Sequence, residues 1–428
     1  MSRARSASST SMVTRSTSRL RTVARMPAVR FGNGPLASTD LEASARNPAP
    51  RALALTRWEL ASGTAIGADE SSPSLPVAGH RTEREALADA VLPALERSPC
   101  AVSFSGGLDS SVVLALAVGV ARERGLPDPV PVSLRFPGVA STQESEWQEL
   151  VVSHLGLSDW QRVEIGGELD FLGEAARAGL AAHGLLWPAN AHFHVPVFAW
   201  AGGGSVLTGL DGDGLFRGWR WQRARAALAH SGGAEPRDAL RILLASAPAP
   251  LRGAGIFTRL PARHPWLLPA AGLRLRARLA VETGNEPSRW DARIKWYARQ
   301  RYLKLGIHSL ALLAHAHDVQ VVHPLLDPGV LATLAARGGR AGYGTREQAM
   351  SGLFGPLLPR ELFARRTKGE FGAALWGEQA RAFAAGWDGR GLDLDLIDPE
   401  ALARAWQAEN PPLAAATLLQ AAWLAASG

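Results

Sequence analysis

Three hydroxyls, two glycines and one carboxylate fall within seven residues at Ser105-Gly106-Gly107-Leu108-Asp109-Ser110-Ser111. An apolar run, Cys100 to Phe104, leads into them, and Val112-Val113-Leu114-Ala115-Leu116-Ala117 follows. That order predicts a buried strand, a tight turn and a helix. Two glycines let the backbone come close to a ligand. A helix start offers free N–H groups and a positive dipole end to an anion such as phosphate. The serines add donors, and Asp109 adds a hard oxygen suited to magnesium. No Gly-Lys-Ser/Thr follows at the spacing of the common P-loop. An ordinary corner between strand and helix would leave the carboxylate and hydroxyls without a role.

A second junction of the same kind is Ser205-Val206-Leu207-Thr208-Gly209, running into Leu210-Asp211-Gly212-Asp213-Gly214-Leu215-Phe216-Arg217-Gly218-Trp219. Taken alone, Asp-Gly-Asp-Gly is as readily a surface turn. A late basic run, Arg365-Arg366-Thr367-Lys368-Gly369-Glu370-Phe371, would by itself be a solvated face. His192 and His194, beside Asn190, lack a nearby third ligand of the right kind for zinc. They read instead as a turn entering a helix, with polar side chains lining a cleft.

The elements that must position these residues alternate. Thr82-Glu83-Arg84-Glu85 has capping-box spacing, and Leu87, Val91, Ala94 and Leu95 form an apolar helical face with Pro93 as a kink. Val130 to Leu134 predicts a second strand. Ser141-Thr142-Gln143-Glu144 predicts another capped helix carrying Trp147, Leu150 and Val151. Residues 160–165 predict a third strand and residues 170–183 a third helix. Arg57-Trp58-Glu59-Leu60 reads as a short strand or turn, residues 293–314 as long helices over the cleft, and Asp327 as a cap or salt-bridge partner. Strands alternating with helices at this spacing indicate an α/β fold with a doubly wound parallel sheet.

A chain of 428 residues, 46% hydrophobic and 20% charged, supports a full enzyme core. The net charge of +7 is confined: residues 1–30 hold seven arginines and no acid, which leaves the remainder near neutral. No nucleic-acid partner is expected from such a balance. No apolar run nears the ~20 residues of a bilayer span, so no membrane partner is expected either. The single cysteine, Cys100, fits a reducing, cytoplasmic compartment and a packing role. The basic segment reads as a disordered arm or an over-extended start, with Met12 and Met26 as alternative initiators, in preference to a transit peptide, which its Arg- and Ser-rich, acid-poor composition also resembles.

Ser-Gly-Gly-Leu-Asp-Ser-Ser resembles the pyrophosphate loop of the ATP pyrophosphatases, in the form found in asparagine synthetases. The second junction is similar to that family's Ser/Thr-Gly-Glu-Gly-Ala-Asp-Glu-Leu-Phe-Gly-Gly-Tyr, matching at Thr208, Gly209, Asp213, Leu215, Phe216 and Gly218. The late run resembles its Lys-x-x-Phe motif, and Pro324-Leu325-Leu326-Asp327 its Pro-Phe-Leu-Asp segment. The resemblance spans Thr82 to Leu375. It implies an adenine nucleotide α-hydrolase-like sheet with an additional helical C-terminal part, and a site at the strand carboxyl ends. It implies ATP contacts at Ser103, Ser105, Gly106, Gly107, Asp109, Ser110, Ser133 and Gly209. Asp109 and Asp213 would hold Mg2+, and Lys368 would act with Asp213 in catalysis. The reaction implied joins AMP to a carboxylate, releases pyrophosphate, and then forms an amide with an amine.

Two departures qualify the implied substrate. The family's first glutamate is Leu210 here, and its Asp-Glu pair is Asp213-Gly214. Lasso-peptide macrocyclases and other peptide-modifying relatives carry a Thr-Gly-x-Gly-Gly-Asp version nearer to this one. A peptide or small carboxylate is therefore the expected substrate, with peptide macrocyclisation favoured over asparagine synthesis from ammonia. No cysteine precedes Thr82, so no ammonia from glutamine is expected. Alternatives are a different ATP pyrophosphatase, such as an RNA thiolase or NAD synthetase, and a non-catalytic nucleotide-binding partner protein. The domains expected are an arm at 1–40, a poorly ordered remnant at 41–81, the synthetase-like domain at 82–385 and closing helices at 386–428.

Overall fold

In the computed structural model of the chain, the described residues are 54–79, 81–216, 247–261, 263–365 and 369–427. Five strands, β1 Cys100–Ser103, β2 Val130–Arg135, β3 Gln161–Glu164, β4 Ser205–Thr208 and β5 Gln320–Val322, form one sheet in the order β3-β2-β1-β4-β5. Every pairing is parallel. The order runs outward in both directions from the β1–β4 neighbours. Ligands bind in such sheets at that reversal, outside the strand carboxyl ends.

Parallel strands are covered on both faces, and alternate residues therefore enter different cores. Ala101, Val132 and Val206 enter one core with Phe171, Phe198 and Leu310. Cys100, Val102 and Leu207 enter the other with Leu114, Val118 and Leu331. Burial pushes the Cys100 thiol up to about 11, which suits packing rather than nucleophilic chemistry.

The helices are α1 Arg57–Ser62, α2 Glu83–Leu95, α3 Leu108–Arg124, α4 Ser145–His154, α5 Glu174–His183, α6 Val195–Trp200 and α7 Gly212–Phe216. Then follow α8 Ala249–Phe257, α9 Pro269–Asn285, α10 Trp290–Tyr297 and α11 Arg301–His315, all between β4 and β5. After β5 come α12 Pro328–Gly338, α13 Arg346–Phe354, α14 Arg360–Ala364, α15 Gly372–Leu375, α16 Glu378–Gly386, α17 Pro399–Gln407 and α18 Leu413–Ser427. The additional helices are thus divided between an insertion before the last strand and the C-terminal part. The Thr82 box caps α2, which contains Pro93, and Asp327 caps α12 by accepting from the N–H groups of Gly329 and Val330.

Three local expectations shift for identifiable reasons. The helix expected from Ser141 starts at Ser145, because the box side chains are engaged elsewhere: Ser141 Oγ donates to the Glu370 carbonyl, and Glu144 pairs with Arg365. The helix expected from residue 170 starts at Glu174. Asp170 instead accepts from the N–H groups of Leu172, Gln379 and Ala380, capping the start of α16. Residues 57–60 form helix α1, with Thr56 and Glu59 making a capping box.

Helix α1 is tied in by charge. Glu59 is 0% exposed, and its oxygens accept from Arg301 Nε and Nη2 at 2.8 Å each and from Ile66 N at 3.0 Å. Burial pushes its carboxyl up, but Arg301 and the N–H groups of Thr56 and Ile66 outweigh that and hold it below 4.5. Further along, Asp69 accepts from Lys304 at 2.8 Å, and Ala68 bridges Gln300. Glu59→Ala leaves Arg301 without its buried partner and is expected to cost about 3 kcal/mol in urea unfolding. Because the folded-state pKa is depressed, the Glu59 contribution is present above pH 4.5 and fades as pH falls through that lower value. The variant should therefore show a shallower acid limb, and an unchanged one would remove the assignment.

Candidate functional site

The loop after β1 turns on Gly106, whose φ of +81° is open to glycine at little cost. Its carbonyl accepts from Arg365 Nη1 at 2.9 Å, and the Ser105 carbonyl accepts from Gln148 Nε2 at 3.1 Å. With both carbonyls held from behind, the loop cannot turn over. Gly107 is the N-cap of α3 and offers no capping side chain. Its carbonyl accepts from Ser110 Oγ at 3.0 Å and Ser111 Oγ at 2.8 Å, while Ser105 Oγ lies 3.2 Å from Ser110 Oγ. A strand end, a pinned turn and a helix N-terminus stand together here, an arrangement whose N–H and hydroxyl groups can receive an anion.

The loop after β4 lies directly against it. A Cβ on Gly209 would sit 2.6 Å from Ser110 N, and a Cβ on Gly212 would overlap the Asp109 carboxyl. Only glycine permits that approach. Asp211 has a φ of 54°, unusual for a residue with a side chain. Its carboxylate accepts from Tyr297 OH at 2.5 Å and Tyr302 OH at 2.9 Å. Burial pushes its carboxyl up and the Asp213 charge adds to that, against the two tyrosine donations. Arg293 donates to the carbonyls of Leu215 and Gly214 at 2.7 and 2.8 Å, holding α7 from behind.

The packing of these two loops brings Asp109 and Asp213 together. Arg346 Nη2 donates to Asp109 Oδ1 at 2.8 Å and lies 2.8 Å from Asp213 Oδ1. Two carboxylate oxygens converging on one positive nitrogen can hold a hard divalent cation once the guanidinium swings aside, so the donor set fits magnesium.

The other sequence-predicted residues distribute as follows. Ser103 ends β1 with Oγ 3.3 Å from His194 Nδ1. Ser133 is buried on β2, where its hydroxyl donates to the Phe104 carbonyl and accepts from Trp160 Nε1, so its side chain is occupied within the fold. Lys368 lies outside the described residues, as do Gly218, Trp219 and Trp221. On either side of Lys368 in sequence, Arg365 donates to the Gly106 carbonyl and Glu370 N donates to the Ser141 carbonyl at 2.9 Å. His192 is buried between the carbonyls of Ala189 and Leu169. Among the described residues no group of three or more His, Cys, Asp or Glu could hold a metal.

Sequence reasoning missed Arg346, Gln148, the Glu144–Arg365 pair and the tyrosines on Asp211. One signal was available: Thr345-Arg346-Glu347-Gln348 has capping-box spacing, and the box forms at the start of α13. The side chains of Glu144 and Arg365 are each 6% exposed, and the guanidinium also lies 5.1 Å from the Trp147 ring centre. Such a pair draws three segments together, and a lone charge in sequence cannot announce its partner.

The family described as asparagine synthase matches the chain over residues 82–425, well over half of its length. No curated protein matches it. Replacing Glu144 and Arg365 together by Gln removes both charges at once and frees the Gly106 carbonyl. The double variant should bind ATP about tenfold more weakly by calorimetry, roughly 1.4 kcal/mol. Unchanged affinity would show that the pair supports the fold alone.

Proposed function

The chain belongs to the asparagine synthase family of ATP-dependent amide-forming synthetases, and from that premise we propose that it activates a carboxylate as acyl-AMP and transfers the acyl group to an amine. The observation that carries this reading is the convergence of Asp109 and Asp213 on one cationic point beside the phosphate loop. Ser105, Gly106, Gly107 and the start of α3 hold the β and γ phosphates by N–H and hydroxyl donors. Asp109 and Asp213 would hold magnesium, which would supply positive charge against the pyrophosphate. Lys368 neutralises charge that develops on phosphate and acyl oxygens. The acid's oxygen attacks the α-phosphorus, pyrophosphate leaves, and the amine nitrogen then displaces AMP from the acyl carbon.

A peptide is the favoured substrate. Leu210, at the position of the family's first glutamate, packs against both cores. The next carboxylate along, Asp211, is engaged by two tyrosines. Phe136, Phe193 and Phe371 form a cluster with ring centres 5.3 to 6.0 Å apart, and the last two are partly exposed. An apolar wall of this kind suits side chains of a peptide better than free aspartate. A peptide α-amine, with a reference pKa of about 7.7–8.0, is already partly neutral and depends less on a general base.

Exchange of labelled pyrophosphate into ATP should occur with a peptide acid, and mass analysis should then show loss of water on amide formation. Efficient asparagine formation from aspartate and ammonia, with no peptide product, would return the chain to the plain synthetase. The metal assignment is checked separately, without turnover. Arg346→Gln removes the cation competing for the two carboxylates, so nucleotide-free Mn2+ should bind about tenfold more tightly by electron paramagnetic resonance, ~1.4 kcal/mol. Asp109→Asn or Asp213→Asn should instead abolish that binding and slow pyrophosphate exchange on the order of 100-fold. Mn2+ affinity indifferent to all three changes would place the metal elsewhere.

A further inference from the structure

One polar row at the strand ends is unused by the reaction as described. Ser103 pairs in register with Thr208, and Leu207 with Val322, the residue before His323. Ala101, Val206 and Val321 pack into one core, so Ser103, Thr208 and His323, each two residues further on, look to the same side of the sheet. Thr208 Oγ1 lies 2.7 Å from His323 Nδ1, and His194 closes the row against Ser103. Thr208 Oγ1 also accepts from Leu210 N at 3.4 Å. The Thr208 hydroxyl can accept two bonds and donate one, and with its proton assigned to His323 Nδ1 the imidazole proton stands on Nε2. Burial, with His194 nearby, pushes the His323 pKa down to about 4, so the ring is neutral at pH 7.

That Nε2–H is buried with no partner among the described residues. A buried donor left unpaired is costly, and an incoming oxygen recovers that cost. It is not isolated either. Of the seven buried orphan atoms among the described residues, Gln148 Oε1, Arg346 Nε and Arg365 Nε belong to side chains that bind the two loops. Unpaired polar atoms gathered at one end of a sheet point to a ligand that completes them.

We propose that His323 Nε2–H is the donor that receives an anionic ligand oxygen, and that this oxygen belongs to the carboxylate of the acid being activated. The assignment rests on the acid-activating reading above. The shared chemistry, an anionic oxygen, also describes the α-phosphate of ATP. The phosphate loop follows β1, whereas His323 follows β5 on the far side of β4, which favours the carboxylate. A neutral imidazole suits this role: it donates one hydrogen bond without a charge that would hold the acid as an inert ion pair. An ammonium group, which has only donors, is turned away.

The test uses the full chain labelled with 15N-histidine, at pH 7.5. Two-bond 15N–1H couplings should identify a neutral ring with its proton on Nε2. Acetate, as the probe carboxylate, should shift that proton in a saturable way, and AMP alone should not. In His323→Leu the acetate affinity read from other shifted signals should fall about tenfold with AMP binding unchanged, whereas His323→Gln, which keeps an N–H, should restore it. A proton on Nδ1, an acetate response equal in the leucine variant, or a response to AMP alone would each overturn the assignment. The tautomer is read on the unsubstituted protein, so a poorly folding variant does not shield the proposal. Absence of pyrophosphate exchange with every acid tried, beside an intact acetate response at His323, would overturn acid activation while supporting the carboxylate site.

Discussion

Backbone contact between two loops is the constraint on which the site depends. Gly209 lies against the first turn of α3 so closely that no side chain fits between them. Because β1 and β4 are parallel neighbours at the reversal of strand order, their following loops emerge side by side. Asp109 and Asp213, more than a hundred residues apart, thereby come within reach of one guanidinium nitrogen. Everything around them serves that placement. Arg365 and Gln148 hold the first loop by its carbonyls, and Arg293, Tyr297 and Tyr302 hold the second by its carbonyls and Asp211.

The electrostatics of the site follow from burial. Burial raises the Asp211 carboxyl, two tyrosine hydroxyls within hydrogen-bond distance oppose that, and the Asp213 charge adds to the rise. The backbone at Asp211 occupies the left-handed region that asparagine and aspartate tolerate best among residues with side chains. A strained residue fixed by two donors gives α7 one orientation, and with it Asp213. His194 and His323 are held neutral by the same desolvation, each pushed down to about 4. The strand ends therefore present two carboxylates beside the loop that follows β1 and neutral imidazoles beyond it.

Distant segments tie the helical part to the sheet by a few buried polar anchors. Glu59 binds α1 to α11, Asp170 caps α16 from across the chain, and Glu144 binds the late segment. Buried pairs of this kind add little net stability beside apolar packing, but losing one partner is costly.

Periodicity and punctuation make four of the five strands, several of the helices and both site loops legible, whereas the three-residue strand β5, Gln320–Val322, is too short to leave a pattern. Strand and helix patterns are local, and a glycine turn between them leaves a local signature. The capping boxes at Thr82 and Thr345 were equally local, and both form. The box at Ser141 did not form, because Arg365 and the Glu370 carbonyl compete for its side chains from more than two hundred residues away. Ser133 shows the same limit: its type suits a ligand contact, but strand pairing and Trp160 claim its hydroxyl. Arg346 between two aspartates, Arg365 behind the phosphate loop and His323 beside Thr208 were decided by tertiary structure alone. Residue type states what a side chain can bind, whereas burial and proximity, which depend on the whole chain closing up, select the partner it has.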